Sequence, residues 1–194
     1  NYGILTLSKN KPEYSKKYKI NTFSGEFYGF VHNKIGPINI ISIHLDVYDE
    51  TGTIRLEQIL HIHRYIFHHN LFNVIIIGDF NEMNIDTSHP LYKQYTDDFT
   101  KRTGLSKIPK NVHTFLKEYY YKDAYSMIDK DYPKFSCWSG RLVDFCYIWS
   151  VTWDKNIQIK DITLPMFNYS DHLPLIIDIA LPLTTQILYK HVKL

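Results

Sequence analysis

Strand-like and helix-like hydrophobic patterns succeed one another along the chain. In the first third, residues 3–8, 18–23, 26–32 and 38–45 read as strands, separated by the turn-prone Lys9-Asn10-Lys11-Pro12 and Lys34-Ile35-Gly36-Pro37. Residues 53–69 change period. Leu56, Ile59, Leu60, His63, Ile66 and Phe67 recur every three to four positions, with Arg55, Glu57, His61, Arg64 and His68 opposite, which predicts an amphipathic helix. Residues 73–77 form a short unbroken apolar run, the pattern of a strand covered on both faces. Residues 84–131 are irregular, with a helix expected near 89–101 and an aromatic-rich stretch at 115–125. Strands are expected at 135–138, 142–150 and 156–163, and a loop through 166–171 leads into a last strand at 173–181. Strands on both sides of a few helices predict a layered α/β (α+β) domain. No repeat, low-complexity tract or Gly/Ser linker divides it, so residues 1–183 read as one domain and 184–194 as a peripheral tail.

Composition narrows the picture only slightly. The 194 residues are 44% hydrophobic and 22% charged, which suits a globular chain and not a disordered one. No apolar run approaches the ~18 residues of a membrane-spanning helix. With 22 Lys+Arg against 20 Asp+Glu, bulk charge neither requires nor excludes a nucleic-acid substrate. Cys137 and Cys146 are too few for a disulfide framework and lack zinc-type spacing; they could bridge only if they faced each other across a hairpin, and the expectation is two unpaired, partly buried thiols, which tips the expected compartment towards a reducing, intracellular one. The chain opens at Asn1 inside a strand, without the features of a signal peptide, and so reads as a processed product or a fragment.

Four places carry candidate chemistry. In Val74-Ile75-Ile76-Ile77-Gly78-Asp79-Phe80-Asn81 a buried β-branched run ends in a carboxylate and then a carboxamide. Strand alternation puts Asp79 and Asn81 on one side and Phe80 on the other. The same pair would serve equally to initiate a turn. Asp171-His172 precedes the last strand in Ser170-Asp171-His172-Leu173-Pro174, and both could reach one site only from the irregular lead-in. His44 closes the strand at 38–45, where a backbone-bound histidine would be unremarkable. Asp144 interrupts the apolar Leu142-Val143-Asp144-Phe145-Cys146, where an unpaired charge would cost several kcal/mol, so it needs a partner and a histidine is the natural one.

In chain order these pieces resemble the endonuclease/exonuclease/phosphatase superfamily, the DNase I-like metal-dependent phosphohydrolases. The matching segments are Gly3-Ile4-Leu5-Thr6-Leu7-Ser8-Lys9, Ser42-Ile43-His44-Leu45-Asp46, Arg55 with Gln58, Gly78-Asp79-Phe80-Asn81, Asp123-Ala124-Tyr125, Arg141-Leu142-Val143-Asp144 and Ser170-Asp171-His172-Leu173-Pro174, so nearly the whole chain is covered. The resemblance implies a two-sheet β-sandwich flanked by helices. It further implies a phosphoester hydrolase dependent on Mg²⁺ or Mn²⁺, and the expectation is a monomer with no transmembrane segment. In that scheme Asp79 orients or deprotonates the attacking water. His44, Asn81 and His172 stabilise the charge that develops on the phosphoryl group, and Asp144 orients His172. Asp79, Asn81 and Asp171 lie at the metal. Trp138 and Arg141 are close enough to Asp144 in sequence to line the site and contact substrate. Phosphoryl transfer chiefly needs positioning and charge neutralisation, which this set of groups can supply.

The family's principal metal-binding glutamate lies on a strand upstream of residues 3–8 and has no position here, since Glu13 and Glu26 fall after that strand. The expectation is an upstream strand ending in such an acid, and weak or no turnover by the 194-residue chain itself. A phosphodiesterase or nuclease leads. A phosphatase or phospholipase acting on inositol phosphates, sphingomyelin or another small phosphoester follows, and an inactive binding member is the third reading. His61, His63, His68 and His69 include no pair at i,i+4, so they read as a solvated helix face with His63 partly buried rather than as a zinc site.

Overall fold

The computed structural model describes residue 4 and residues 11–21, 27–85, 87, 90–166 and 168–181. The expected strand at 3–8 and the tail at 184–194 fall outside them, apart from Ile4. Eight strands are described: β1 (Tyr14–Asn21), β2 (Phe27–Ile35), β3 (Ile38–His44), β4 (Val74–Asp79), β5 (Tyr121–Asp123), β6 (Asp144–Trp149), β7 (Gln158–Thr163) and β8 (Ile176–Ala180). The helices are α1 (Thr53–His68), α2 (Tyr92–Thr103), α3 (Asn111–Glu118) and the single turn α4 (Ala124–Met127).

Six strands form one sheet in the order β1-β2-β3-β4-β6-β5, and β7 and β8 form a second. All pairings are antiparallel except β3 with β4, which α1 joins as a crossover. The alternation of strand side chains explains the layering. On β4, Val74 and Ile76 enter one core and Ile75 and Ile77 the other; on β6, Phe145, Tyr147 and Trp149 oppose Cys146 and Ile148. The first core packs Ile59, Ile62 and Ile66 of α1 and Val112, Phe115 and Leu116 of α3 against the sheet. The second core packs Ile157, Ile159 and Ile162 from the β7 side, with Ile177 and Ile179 of β8. The large sheet is therefore covered on both faces, which is what the unbroken apolar run at 73–77 requires.

Three local expectations shift. α1 buries Arg55, Gln58, Ile59, Ile62 and Ile66 and leaves Phe67 69% exposed, so its buried stripe is rotated from the apolar one. The cause is Arg55, whose Nη1 donates to the carbonyls of Asp46 (3.2 Å) and Asp49 in the incoming loop. Residues 135–138 form no strand and contribute only an isolated bridge, Cys137 with His172. α3 forms within the stretch 84–131, where the sequence pattern predicts only the helix near 89–101. Both cysteines are buried free thiols.

Candidate active site

Three strand ends meet at one edge of the large sheet. In the pairing register His44 of β3 faces Asp79 of β4, and Asp79 faces Asp144 of β6. Gly78 permits this approach: its φ is +140°, and a Cβ there would lie 2.1 Å from the Ile43 carbonyl oxygen. The register thus sets a histidine and two carboxylates side by side at the normal inter-strand spacing of about 4.8 Å.

The second histidine arrives from the other sheet. The segment before β8 is fastened to the segment before β6 by Trp138 N–H donating to Asp171 O (2.8 Å) and Leu173 N–H donating to Ser136 O (2.7 Å). His172 then hydrogen-bonds Asp144 Oδ2 through Nδ1 at 2.8 Å, and its Nε2 lies 3.7 Å from Asp79 Oδ2. His44 Nε2 lies 3.6 Å from the same oxygen. Asp79 therefore stands between two imidazoles. The carboxylate side chains are 14% and 12% exposed against 45% for His44 and 31% for His172, so the acids form the floor and the histidines the mouth.

The backbone beyond Asp79 is held as tightly. Asn81 N–H donates to Asp79 Oδ1 at 2.7 Å, and Asn81 Nδ2 donates to Leu45 O at 2.9 Å. Asn81 has a φ of +48°, a left-handed conformation that asparagine tolerates better than most residues. Leu45 O takes one of the two donors of its amide NH₂, which leaves the second N–H and the carbonyl Oδ1 to meet a ligand.

Electrostatics follow from this crowding. Hydrogen bonding to Asp144 raises the His172 pKa to about 9 against the opposing effect of burial, with the charges of Asp144 and Asp79 adding to the rise. Burial, and then the neighbouring Asp144, raise the pKa of Asp79, while the Asn81 amide and the two histidines counteract them. Ligand atoms of Asp79, Asp144 and His172 all lie within 4.8 Å of one another, the geometry of a group that could hold a cation.

The expected residues His44, Asp79, Asn81, Asp144 and His172 thus converge. Asp171 is exposed, with Ser170 Oγ 3.4 Å from its Oδ1, and stands outside the Asp79–Asp144–His172 cluster. Trp138 is 46% exposed and donates from its indole to Ser170 O at 2.9 Å. Arg141 donates to Ser139 Oγ (3.0 Å) and lines a neighbouring cavity.

Two supporting groups had no signal in the sequence. Ser136 is fully buried, and its Oγ accepts from both Val143 N–H (2.9 Å) and Asp144 N–H (3.0 Å), which holds the start of β6. Glu82, 2% exposed, accepts from Val112 N–H (2.8 Å) and His113 N–H (3.3 Å) at the first turn of α3 and lies 3.6 Å from Arg55 Nε. Asp49 completes that buried set by accepting from Gly52 N–H and Arg55 N–H (2.9 and 2.8 Å) at the start of α1. The partners of Glu82 sit thirty and thirty-one residues further along the chain, so no local pattern announces them.

No protein-family model and no curated protein matches the chain by sequence. Solved structures do match. One is the 3′ phosphatase NExo from Neisseria bound to a product DNA hairpin, with a TM-score of 0.61 and 11% identity over 90% of this chain and 73% of that one. A second is a functionally unknown conserved protein from Enterococcus faecalis, with a TM-score of 0.58 and 14% identity over 88% of this chain and 66% of that one. A third is an endonuclease/exonuclease/phosphatase family protein from Bacteroides thetaiotaomicron, with a TM-score of 0.55 and 11% identity over 87% and 65%. The chain spans under two thirds of the length of several such structures. At these identities the likeness is one of architecture: the chain has the two-sheet, DNase I-like fold of these structures.

Proposed function

We propose that the protein is a divalent-metal-dependent hydrolase of phosphoester bonds, acting as a phosphodiesterase or nuclease. The observation that carries this is the alignment of His44, Asp79 and Asp144 on adjacent strand ends, with His172 bonded to Asp144 across the gap between sheets. Asp79, flanked by two imidazoles, is placed to orient and deprotonate a water. His44, His172 and the Asn81 amide surround the position where charge develops on a phosphoryl group. Asp144 fixes the ring orientation of His172 and supports its positive charge.

The residues fit a hard cation. Asp79 and Asp144 place two carboxylates in one buried corner, an arrangement that a bound cation relieves, and Asn81 offers a carbonyl oxygen. Asp79 and Asn81 would hold Mg²⁺ or Mn²⁺, with Asp171 on the adjoining loop. The ion would supply charge neutralisation of the phosphate.

Trp138 and Arg141 belong to the substrate side of this reading. Tyr48 (81% exposed), Trp138 and Tyr169 (86%) lie on the three loops that lead out of β3, towards β6 and towards His172, and such exposed rings suit stacking on unpaired bases. The DNA-bound Neisseria phosphatase shares this fold.

The test is hydrolysis of a single-stranded oligonucleotide, of bis(p-nitrophenyl) phosphate and of an inositol phosphate by the full-length gene product. The expected result is activity with Mg²⁺ that EDTA abolishes and that Asp79→Ala and His172→Ala each reduce at least a thousandfold. Activity that survives EDTA and both substitutions overturns the mechanism, and preference for the inositol phosphate over both diesters overturns the nuclease reading.

A further inference from the structure

Away from the active site, three tyrosine hydroxyls and a histidine converge on the face of the large sheet that α1 covers. Tyr14 and Tyr18 come from β1, His32 from β2 and Tyr65 from the second half of α1. Tyr14 Oη lies 2.5 Å from Tyr18 Oη, Tyr65 O–H donates to Tyr18 Oη at 2.9 Å, and Tyr65 Oη lies 2.8 Å from His32 Nδ1. The register places Tyr18 beside Phe30 and His32 beside Ile41, both members of the core under α1. His44, three residues beyond Ile41, has the opposite parity, so the cluster and the catalytic edge belong to opposite faces of the sheet.

His32 is buried, and its ring is oriented from behind. Asn39 Nδ2 donates to Phe72 O at 2.6 Å, which turns Asn39 Oδ1 towards His32 Nε2 at 2.9 Å. Nε2 therefore carries the ring proton, and burial keeps the imidazole neutral by lowering its pKa. The Nδ1 lone pair then faces Tyr65, whose single proton is directed at Tyr18. One contact in the cluster is thus short of a proton, which a cation would relieve. A carbonyl oxygen behind one ring nitrogen and a lone pair on the other is the arrangement of a metal-ligating histidine.

The spacing and the chemistry of the donors select the ion. Neighbouring donors of an octahedral ion with bonds of about 2.0 Å lie about 2.8 Å apart, close to the three separations here. Tyr14, through its bond to Tyr18, and Tyr65, through burial, have pKa values above the ordinary phenol range. Burial opposes it, but hydrogen bonds from both neighbours and the charge of Lys16 bring Tyr18 below that range. Displacing the remaining protons near neutral pH takes a hard, strongly polarising ion, and three phenolates offset a triple charge.

We propose that Tyr14, Tyr18, Tyr65 and His32 form a binding site for a ferric ion, held by three phenolate oxygens and His32 Nδ1. Binding exchanges three O–H bonds for three Fe–O bonds and releases three protons, with no change in oxidation state. Tyrosinate is an established protein ligand of iron. Tyr14, 38% exposed, is the point of entry.

The metal-stripped full-length gene product is titrated with ferric citrate at neutral pH and followed by visible absorption. One equivalent is expected to produce a phenolate-to-iron charge-transfer band and to acidify a weakly buffered solution. Carboxylate and imidazole ligands give no such band, so iron bound at Asp79 or Asp144 stays silent. Tyr14→Phe weakens binding by about tenfold or more, at least the scale for loss of an outer partner, and Tyr14→Phe/Tyr65→Phe abolishes the band. Tyr120→Phe, at an exposed tyrosine outside the cluster, leaves it unchanged. Thermal melts check that each variant is folded, and the single Tyr14→Phe variant decides if the double one does not fold. Absence of the band in the unmodified protein, its persistence at full strength in folded Tyr14→Phe, or its loss in Tyr120→Phe overturns the site.

Discussion

Ser136 Oγ accepts the Asp144 amide at 3.0 Å, and the Ser136 carbonyl accepts Leu173 N–H at 2.7 Å, so one residue ties together both halves of the Asp144–His172 pair. Ser136→Ala strands the buried amides of Val143 and Asp144. The expected loss is about 2–4 kcal/mol of stability, at the scale of two unsatisfied donors. Urea denaturation measures it. Turnover under conditions where the variant is fully folded falls as well, because the carboxylate that orients His172 is no longer held.

Asp144→Asn separates charge from shape. The carboxamide keeps the volume but cannot hold the imidazolium, so the His172 pKa drops from about 9 towards the ordinary histidine range. Phosphoester turnover is expected to fall by about 10²- to 10⁴-fold, the scale seen when an orienting carboxylate is neutralised. NMR titration of the imidazole and steady-state kinetics read the two effects, and an unchanged pKa contradicts the assignment.

Gly78→Ala attacks the register itself. The added methyl would stand 2.1 Å from the Ile43 carbonyl oxygen, backbone that cannot swing aside, at a φ that L side chains rarely adopt. We expect destabilisation of more than about 3 kcal/mol or failure to accumulate folded protein. A variant of near-normal Tm and activity would mean that β3 and β4 are not paired as described.

His113 makes stability pH-dependent. It is fully buried between Phe80 and Phe145, with Nε2 donating to Glu82 O (2.9 Å) and Nδ1 accepting from Tyr147 OH (2.7 Å). Burial, with Lys110 and Arg55 adding to the effect, pushes its pKa down to about 4 although the Glu82 carbonyl opposes this. The folded state therefore binds its proton less readily than the unfolded chain. The contribution is intact above about pH 6.5 and fades as pH falls towards 4, by about 2 kcal/mol at pH 5. Asp123, which burial pushes up to about 6, acts in the opposite sense over the same range. Subtracting a His113→Gln variant cancels it. The stability gap between the two proteins is expected to narrow by about 2 kcal/mol from pH 7.5 to pH 5, and a constant gap refutes the role.

What could be read beforehand was whatever local pattern determines. β4 and β6 are dense in β-branched and aromatic residues, α1 has a helical period, and the chemistry-bearing residues close recognisable strands. What could not be read depends on distant partners. α3 begins where the Glu82 carboxylate receives its first amides, far back in the chain. Arg55, polar by any pattern, is buried because loop carbonyls receive it. Residues 135–138 looked strand-like, yet Ser136 and Cys137 donate to Arg141 O in a tight turn and meet the other chain segment only at one bridge. Asp171 and His172 share a dipeptide, and only tertiary docking turns the histidine inward.

The site draws its groups from four separate stretches of chain, and none of them is local to another. Its parallel β3–β4 pairing must form across the α1 crossover, β6 must cross the whole irregular middle segment to reach β4, and His172 must then dock from the second sheet. Such non-local closures are the slow steps of folding. Regain of activity after dilution from denaturant should therefore lag the return of helical circular dichroism, making turnover a clock for the last stage of assembly.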